Sequence, residues 1–250
     1  MSSNTMIEAK NISKHFERKI ALSSLSFSIK HGEMVALIGP SGAGKTTLLN
    51  AIAGLVPLQN GELLIDGKSI SSYKKGKIFA KKVGVIRQQF DLIGPLAVIH
   101  NVLAGRLADW GLVKSLFSLL VPQEKAIAVN AIKRVGLADK TYEITSSLSG
   151  GEQQRVAMAR LMVQKPEVIL ADEPVASLDP ARAEDVLAML TNIVLEENQT
   201  LISSLHSVEY ARKYFTRIIS LKNGEIFFDL PTEKVTDELL AQLYQLKEQG

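Results

Sequence analysis

The chain of 250 residues contains no cysteine, so disulfides and thiolate metal sites are excluded. A reducing compartment is compatible with that lack. Long apolar runs are missing too. The longest candidate, Gly111-Leu-Val-Lys-Ser-Leu-Phe-Ser-Leu-Leu-Val121, is too short to span a bilayer and carries Lys114. The opening residues Met1-Ser-Ser-Asn-Thr-Met-Ile-Glu8 lack a basic n-region and an apolar h-region, so no signal peptide is expected. Charge of one sign is scarce: 29 basic against 26 acidic residues leave +3, too little to argue for nucleic-acid binding by itself. Aromatics make up only 6% and are nearly absent from the lysine-rich residues 71–82, which read as a solvated face or loop rather than a base-stacking patch. Internal repeats and low-complexity segments are not found. What remains is ordinary globular composition, 46% hydrophobic and 22% charged, with enough length to bury a substantial core. A soluble protein is expected, with any membrane role reached through a partner.

Against these absences stands Gly39-Pro-Ser-Gly-Ala-Gly-Lys-Thr-Thr47, which fits G-x-x-x-x-G-K-[ST] with Gly39, Gly44, Lys45 and Thr46 at the defining positions. Met34-Val-Ala-Leu-Ile38 before it has strand length, and Thr47-Leu-Leu-Asn-Ala-Ile-Ala53 after it has helical spacing. Strand, loop and helix in that order are what a phosphate-binding loop requires. Glycines let backbone N–H groups curl around an anion, and the helix N-terminus adds partial positive charge. Pro40, Ser41, Gly42, Ala43 and Thr47 complete the candidate cradle for a nucleoside triphosphate. Lys45 would reach the β- and γ-phosphates, and the Thr46 hydroxyl would ligate Mg²⁺. The plain alternative is a Gly-rich turn with no ligand.

The rest of the chain predicts an α/β core interrupted by helices. Ile7 to Phe16 and Ile20 to Ile29 read as strands, the second alternating as an antiparallel, half-buried strand does. Turn signals bracket Glu62-Leu-Leu-Ile65, and Val83-Gly-Val-Ile86 reads as a buried strand. From Asp91 to about Gln164 the apolar spacing is helical: Val98, Val102 and Leu103; Leu116, Leu119 and Leu120; Ala128, Ile132 and Val135. Strands return at Val168-Ile-Leu-Ala171, Thr200-Leu-Ile-Ser203 and Arg217-Ile-Ile-Ser-Leu221. The helical stretch Ala181 to Glu196 between the first two predicts a mainly parallel sheet. Asn223-Gly224 signals a hairpin, and a capped tail helix is expected after Thr236.

Val168 to Glu173 is an apolar strand ending in two carboxylates, at the end of a strand where ligands of open α/β sheets bind. Asp172 would hold Mg²⁺, and Glu173 would orient or deprotonate the attacking water. Leu148-Ser-Gly-Gly-Glu-Gln-Gln-Arg155 is the second motif. Ser149, Gly150 and Gly151 precede a helical run, so a hydroxyl and free N–H groups offer a second anion site. A plain Ser N-cap is the ordinary reading of such a string, though this one is more specific than a cap needs.

Together these motifs resemble the nucleotide-binding subunit of an ABC transporter over essentially the whole chain. The resemblance implies a P-loop NTPase core of ABC type with an antiparallel β subdomain and an inserted all-helical subdomain. One domain over 6–250 is expected, with its nucleotide-binding core in 1–90 and 165–250 and the helical signature part in 91–164. It further implies ATP and Mg²⁺ as cofactors, and two ATP sandwiched in a head-to-tail dimer. There Ser149, Gly150, Gly151 and Gln153 of one copy close over the γ-phosphate held by the other. Phe16 resembles the aromatic that stacks on adenine, though a core Phe is nearly as good a reading. Gln88 resembles the glutamine that senses Mg²⁺ and water, and His206 the switch histidine at the γ-phosphate. Asp179, in Ser177-Leu-Asp179, resembles the residue of note in the loop crossing the dimer interface. One departure is Arg87, where relatives often carry an aromatic before the glutamine.

Ala171-Asp-Glu-Pro-Val-Ala-Ser-Leu-Asp-Pro180, His31-Gly-Glu-Met-Val-Ala-Leu37, Gln88-Gln-Phe-Asp-Leu92, Asn101-Val-Leu-Ala-Gly105 and Leu205-His-Ser-Val-Glu-Tyr-Ala211 are more particularly similar to the ATPase of phosphonate importers. The insertion from Trp110 to Pro122 fits that subgroup, or else is a local helix packing its own subdomain. The implied role is ATP hydrolysis for uptake of phosphonates, phosphite or phosphate esters. It is carried out at the cytoplasmic face of the cell membrane, with a permease and, indirectly, a solute-binding protein as partners and without nucleic acid. An exporter or lipoprotein-release ATPase shares the same chemistry. A ribosome- or DNA-acting ATPase fits less well, because there is one cassette, no cysteine and only a compact helical insertion.

Overall fold

The computed structural model describes residues 4–17, 19–73, 76–87, 91–176 and 178–245. In chain order it begins with strands β1 (Thr5–Phe16), β2 (Lys19–Lys30) and β3 (Met34–Ile38), then helix α1 (Lys45–Ile52). Strands β4 (Asn60–Ile65) and β5 (Lys68–Ser69) precede helix α2 (Lys77–Lys82) and strand β6 (Val83–Ile86). Helices α3 (Val98–Leu103), α4 (Leu112–Leu120), α5 (Lys125–Arg134) and α6 (Gly150–Gln164) follow. Strand β7 (Val168–Asp172), helix α7 (Pro180–Glu196), strand β8 (Thr200–Ser204) and helix α8 (Val208–Tyr214) come next. The hairpin β9 (Arg217–Lys222) and β10 (Glu225–Pro231) leads to α9 (Asp237–Tyr244).

The chain divides into two compact units, one of residues 1–73, 170–173 and 200–250, the other of 74–169 and 174–199. The first unit holds two sheets. One is antiparallel in the order β2-β1-β4-β5, with Ile7 opposite both Ile29 and Ile65. Alternation dictates its buried face: Ile7, Leu22, Leu25 and Ile29 are almost wholly covered, while Ser26, Ser28 and Lys30 stay wet. In the other sheet β10, β9, β3, β8 and the end of β7 are neighbours in that order. Here β3 runs parallel to both β8 and β9. Every residue of β3 is buried, the continuous apolar run of a strand covered on both faces. Asn223 and Gly224, at φ +53° and +80°, make the tight turn between antiparallel β9 and β10.

In the second unit α6 is the packing centre, against α3, α5, α7 and β6. Val156, Ala157, Met158 and Ala159 are fully buried along four consecutive positions, so α6 is apolar all round in its middle. Two expectations change here. Residues 71–82 are not simply loop: α2 forms over Lys77–Lys82, whose residues are good helix formers, although Lys77 and Ile78 remain exposed. Nor does α4 wholly pack its own subdomain. Trp110 is buried beside it, but Val113, Leu116 and Phe117 at i, i+3 and i+4 are 84%, 65% and 52% exposed.

Candidate active site

The phosphate loop grows out of the buried end of β3. Gly39 has φ +142°, and a Cβ there would sit 2.1 Å from the Leu221 carbonyl oxygen. Gly44, which opens α1 at φ +106°, would place a Cβ 2.4 Å from the Ala21 oxygen. Both positions therefore demand glycine for conformation and for space. Gly44 supplies no side-chain cap to the N-terminus of α1. The Ala43 N–H donates back to the Pro40 carbonyl, curling the loop, and the Gly224 N–H donates to the Ala43 carbonyl.

Lys45 is 5% exposed, and its Nζ donates to the carbonyls of Gly39 (2.7 Å) and Pro40 (3.2 Å). Burial lowers its pKa, while Glu173 and Asp172 pull the other way. The ammonium is thus parked on its own loop, beside the space that an anion would fill. Thr46 donates its hydroxyl to Asp172 Oδ1 at 3.2 Å. Glu173, just past β7, adopts a left-handed φ of +49°, and its Oε1 lies 2.6 Å from His206 Nε2. His206 follows β8 and is half exposed. Lys45, Thr46, Glu173 and His206 line one open cleft of about 430 Å³ with Phe16, Ala21, Ser41, Gly42, Ala43, Gly44 and Thr47. Phe16 presents an exposed ring there, with Lys14 Nζ 4.9 Å from its centroid.

Two contributors were invisible to motif reading. Ser204, fully buried at the end of β8, donates to Asp172 Oδ1 at 2.7 Å and accepts from the Glu173 N–H at 2.9 Å. The only signal was a hydroxyl closing an otherwise buried strand. Tyr244 of α9 accepts a hydrogen bond from the Gly39 N–H, while burial raises its phenol pKa. Lys222 holds the end of the same helix, donating to the carbonyls of Gln242 (2.6 Å) and Gln245 (3.3 Å).

The donor chemistry suits Mg²⁺: a hydroxyl and a carboxylate, both hard oxygen ligands, meet beside a phosphate loop. Among the described residues no cluster of three or more His, Asp or Glu forms a metal cage.

In the second unit Ser149 caps α6, and the plain cap reading is realised in full. Its Oγ accepts from the Glu152 N–H, while Glu152 Oε2 accepts from the Ser149 N–H and hydroxyl, both at 2.8 Å. Lys140 pairs with Glu152 at 2.7 Å, and these bonds hold the carboxyl at a pKa of about 2. Gln153 donates to the carbonyls of Thr145 and Leu148, and a Cβ on Gly150 would meet only open space. Ser149 and Gly151 line a cleft of their own with Glu152, Arg155 and Arg182. Asp179 caps α7, accepting from the Arg182 N–H, with Pro180 in the first turn. Arg87 forms an ion pair with Asp91 at 3.1 Å. Gln88 and Ser177 lie outside the described residues.

A family model described as "ABC transporter" matches residues 22–176. The phosphonates import ATP-binding protein PhnC 1 of Nostoc sp. is 44% identical over 250 residues, covering 98% of this chain and 94% of its own. The phosphonates import ATP-binding protein PhnC of Shouchella clausii is 43% identical, covering 96% and 91%. Among solved structures, a dimeric post-hydrolysis state of the ATP-binding cassette MJ0796 bound to ADP and Pi superposes with a TM-score of 0.78. It is 33% identical and covers 91% of this chain and 99% of its own.

Proposed function

The chain belongs to the ABC transporter family, and on that premise we propose that it is the ATP-hydrolysing subunit of an importer that energises phosphonate uptake through a partner permease. The observation that carries this reading is the meeting of Thr46, Asp172, Glu173 and His206 at the mouth of the phosphate loop. ATP would draw Lys45 from its loop carbonyls onto the β- and γ-phosphates, exchanging neutral acceptors for charged ones. Thr46 and Asp172 would hold Mg²⁺, which would neutralise charge developing on the phosphates. Glu173 is the base that orients the attacking water and takes its proton. His206, now against Glu173, would turn to the γ-phosphate, and Gln88 would contribute to the same metal and water. Phe16 offers its exposed ring to the adenine. Among the described residues no helix is long and apolar enough to cross a membrane, so the membrane step falls to the permease.

Glu173→Gln keeps the shape of the side chain and removes its basicity. The variant is expected to bind ATP as the parent does while hydrolysing it at least 100-fold more slowly, on the scale of a lost general base. Cells carrying it in place of the parent should lose growth on phosphonate as sole phosphorus source yet grow on phosphate. Parental turnover would remove Glu173 from the base role. Phosphonate growth that survives deletion of the chain would refute the transport assignment.

A further inference from the structure

We infer that Ser204 is a positioning residue for hydrolysis, a single hydroxyl that sets the direction of both acidic groups at the end of β7. The inference rests on the ATPase reading above and concerns a residue outside its motifs. Ser204 Oγ uses both of its hydrogen-bonding capacities on adjacent residues. Its proton goes to Asp172 Oδ1 at 2.7 Å, and a lone pair receives the Glu173 N–H at 2.9 Å. The hydroxyl is fully buried, so no water competes for either bond.

Each bond has a distinct consequence. The first orients the Asp172 carboxylate, whose same Oδ1 also receives the Thr46 hydroxyl. Asp172 Oδ1 thereby accepts two hydroxyls, one from Ser204 on β8 and one from Thr46 on α1. The second bond holds the Glu173 peptide at φ +49°, a conformation that a non-glycine residue reaches only against steric resistance. With that peptide fixed, the Glu173 carboxylate leaves the backbone toward His206. Without the acceptor, the amide would be left buried and unpaired, or the peptide would relax toward negative φ and carry the base away. A displacement of that kind costs rate without costing affinity, because the phosphates are gripped by the loop and Lys45 rather than by Glu173.

Ser204→Ala removes the hydroxyl and leaves a small apolar side chain in a buried strand, and Ser204→Thr keeps the hydroxyl. Two measurements separate positioning from general damage. Amide hydrogen exchange of the protein without nucleotide or metal reads the second bond directly. At Glu173 it should accelerate about tenfold or more in the Ala variant, as expected for loss of one buried hydrogen bond, while Ala171 and Ile202 keep their protection. Turnover should fall about tenfold with the KM for ATP within twofold, and Thr should restore both readings. Unchanged Glu173 exchange, unchanged turnover, or a Thr variant that behaves like Ala each overturns the inference. Exchange needs no ATPase activity, so a parent protein that fails to hydrolyse ATP would refute the wider reading and leave this measurement decisive for Ser204.

Discussion

At the scale of single residues, the site is built from atoms that have little freedom to be anything else. Gly44 combines φ +106° with the Ala21 carbonyl only 2.4 Å from where a Cβ would lie, and that neighbour is backbone in β2. It cannot swing aside as a side-chain tip would. Gly44→Ala should therefore cost about 2 kcal/mol or more in stability, adding a strained dihedral to a backbone collision. In a chain of this size that lowers the melting temperature by about 4–8 °C. Thermal unfolding followed by circular dichroism checks it, and a melting temperature equal to the parent's would mean the loop has room the geometry denies. Lys45 is the counterpart on the side-chain level. Its burial lowers its pKa, while two carboxylates, Glu173 and Asp172, pull the other way, and two loop carbonyls accept from its Nζ.

At the scale of elements, α4 shows how an apolar helix can be held by charge. Glu124 sits at φ +53° and accepts from Lys114 Nζ at 2.5 Å, Arg106 Nε at 3.0 Å and the Trp110 indole at 3.1 Å. These partners, Lys114 foremost, bring its carboxyl down to about 2 from an ordinary 4.5. Because the folded value lies below the unfolded one, the stabilisation is complete above about pH 4.5 and drains away as pH falls toward about 2. Trp110, the chain's single tryptophan, is 3% exposed and reports on that corner. Its emission should shift to the red between about pH 4.5 and 2. Glu124→Gln should bring part of that shift to neutral pH and flatten the acid dependence. Neutral emission identical to the parent's would show that the carboxylate does not hold the indole in place.

The elements also mark how far the residues alone could be read. The strand–loop–helix of the phosphate loop, β7 with its acidic end and the Asn223-Gly224 hairpin were all legible, because each depends on local spacing or on a turn residue with one use. The outward face of α4 was not legible, since apolar spacing gives a helix its stripe without saying what covers it. Ser204 was hidden for another reason. A hydroxyl becomes informative only once β7 and β8 lie side by side, and the sequence separates Asp172 and Ser204 by a whole helix. Tyr244 meets Gly39 across a still greater separation along the chain. Ser149 shows the opposite lesson: its capping box is complete within one chain, so the local geometry accounts for the serine before any ligand is invoked.

At the scale of the whole molecule, that completeness sets up the assembly part of the proposed function. The phosphate loop, Glu173 and His206 line one cleft, and Ser149 with Gly151 lines a different one. In the proposed sandwich, the Ser149 hydroxyl of one copy would meet the γ-phosphate held by Lys45 of another, in addition to its role as a cap. ATP would then act as the adhesive, and a variant unable to hydrolyse it should trap the pair. Glu173→Gln with ATP is expected to double its mass in light scattering, and to remain a single copy with ADP. Adding Ser149→Arg should abolish the doubling while ATP binding persists, because a long cation would fill the space owed to the phosphate. Loss of the cap alone costs about 1 kcal/mol, so Ser149→Ala serves as the control for helix damage. Assembly that persists in the Ala control assigns the effect of Ser149→Arg to its bulk and charge rather than to the lost cap. If Ser149→Arg assembles as well as its parent, the signature of one copy does not close over the nucleotide of another.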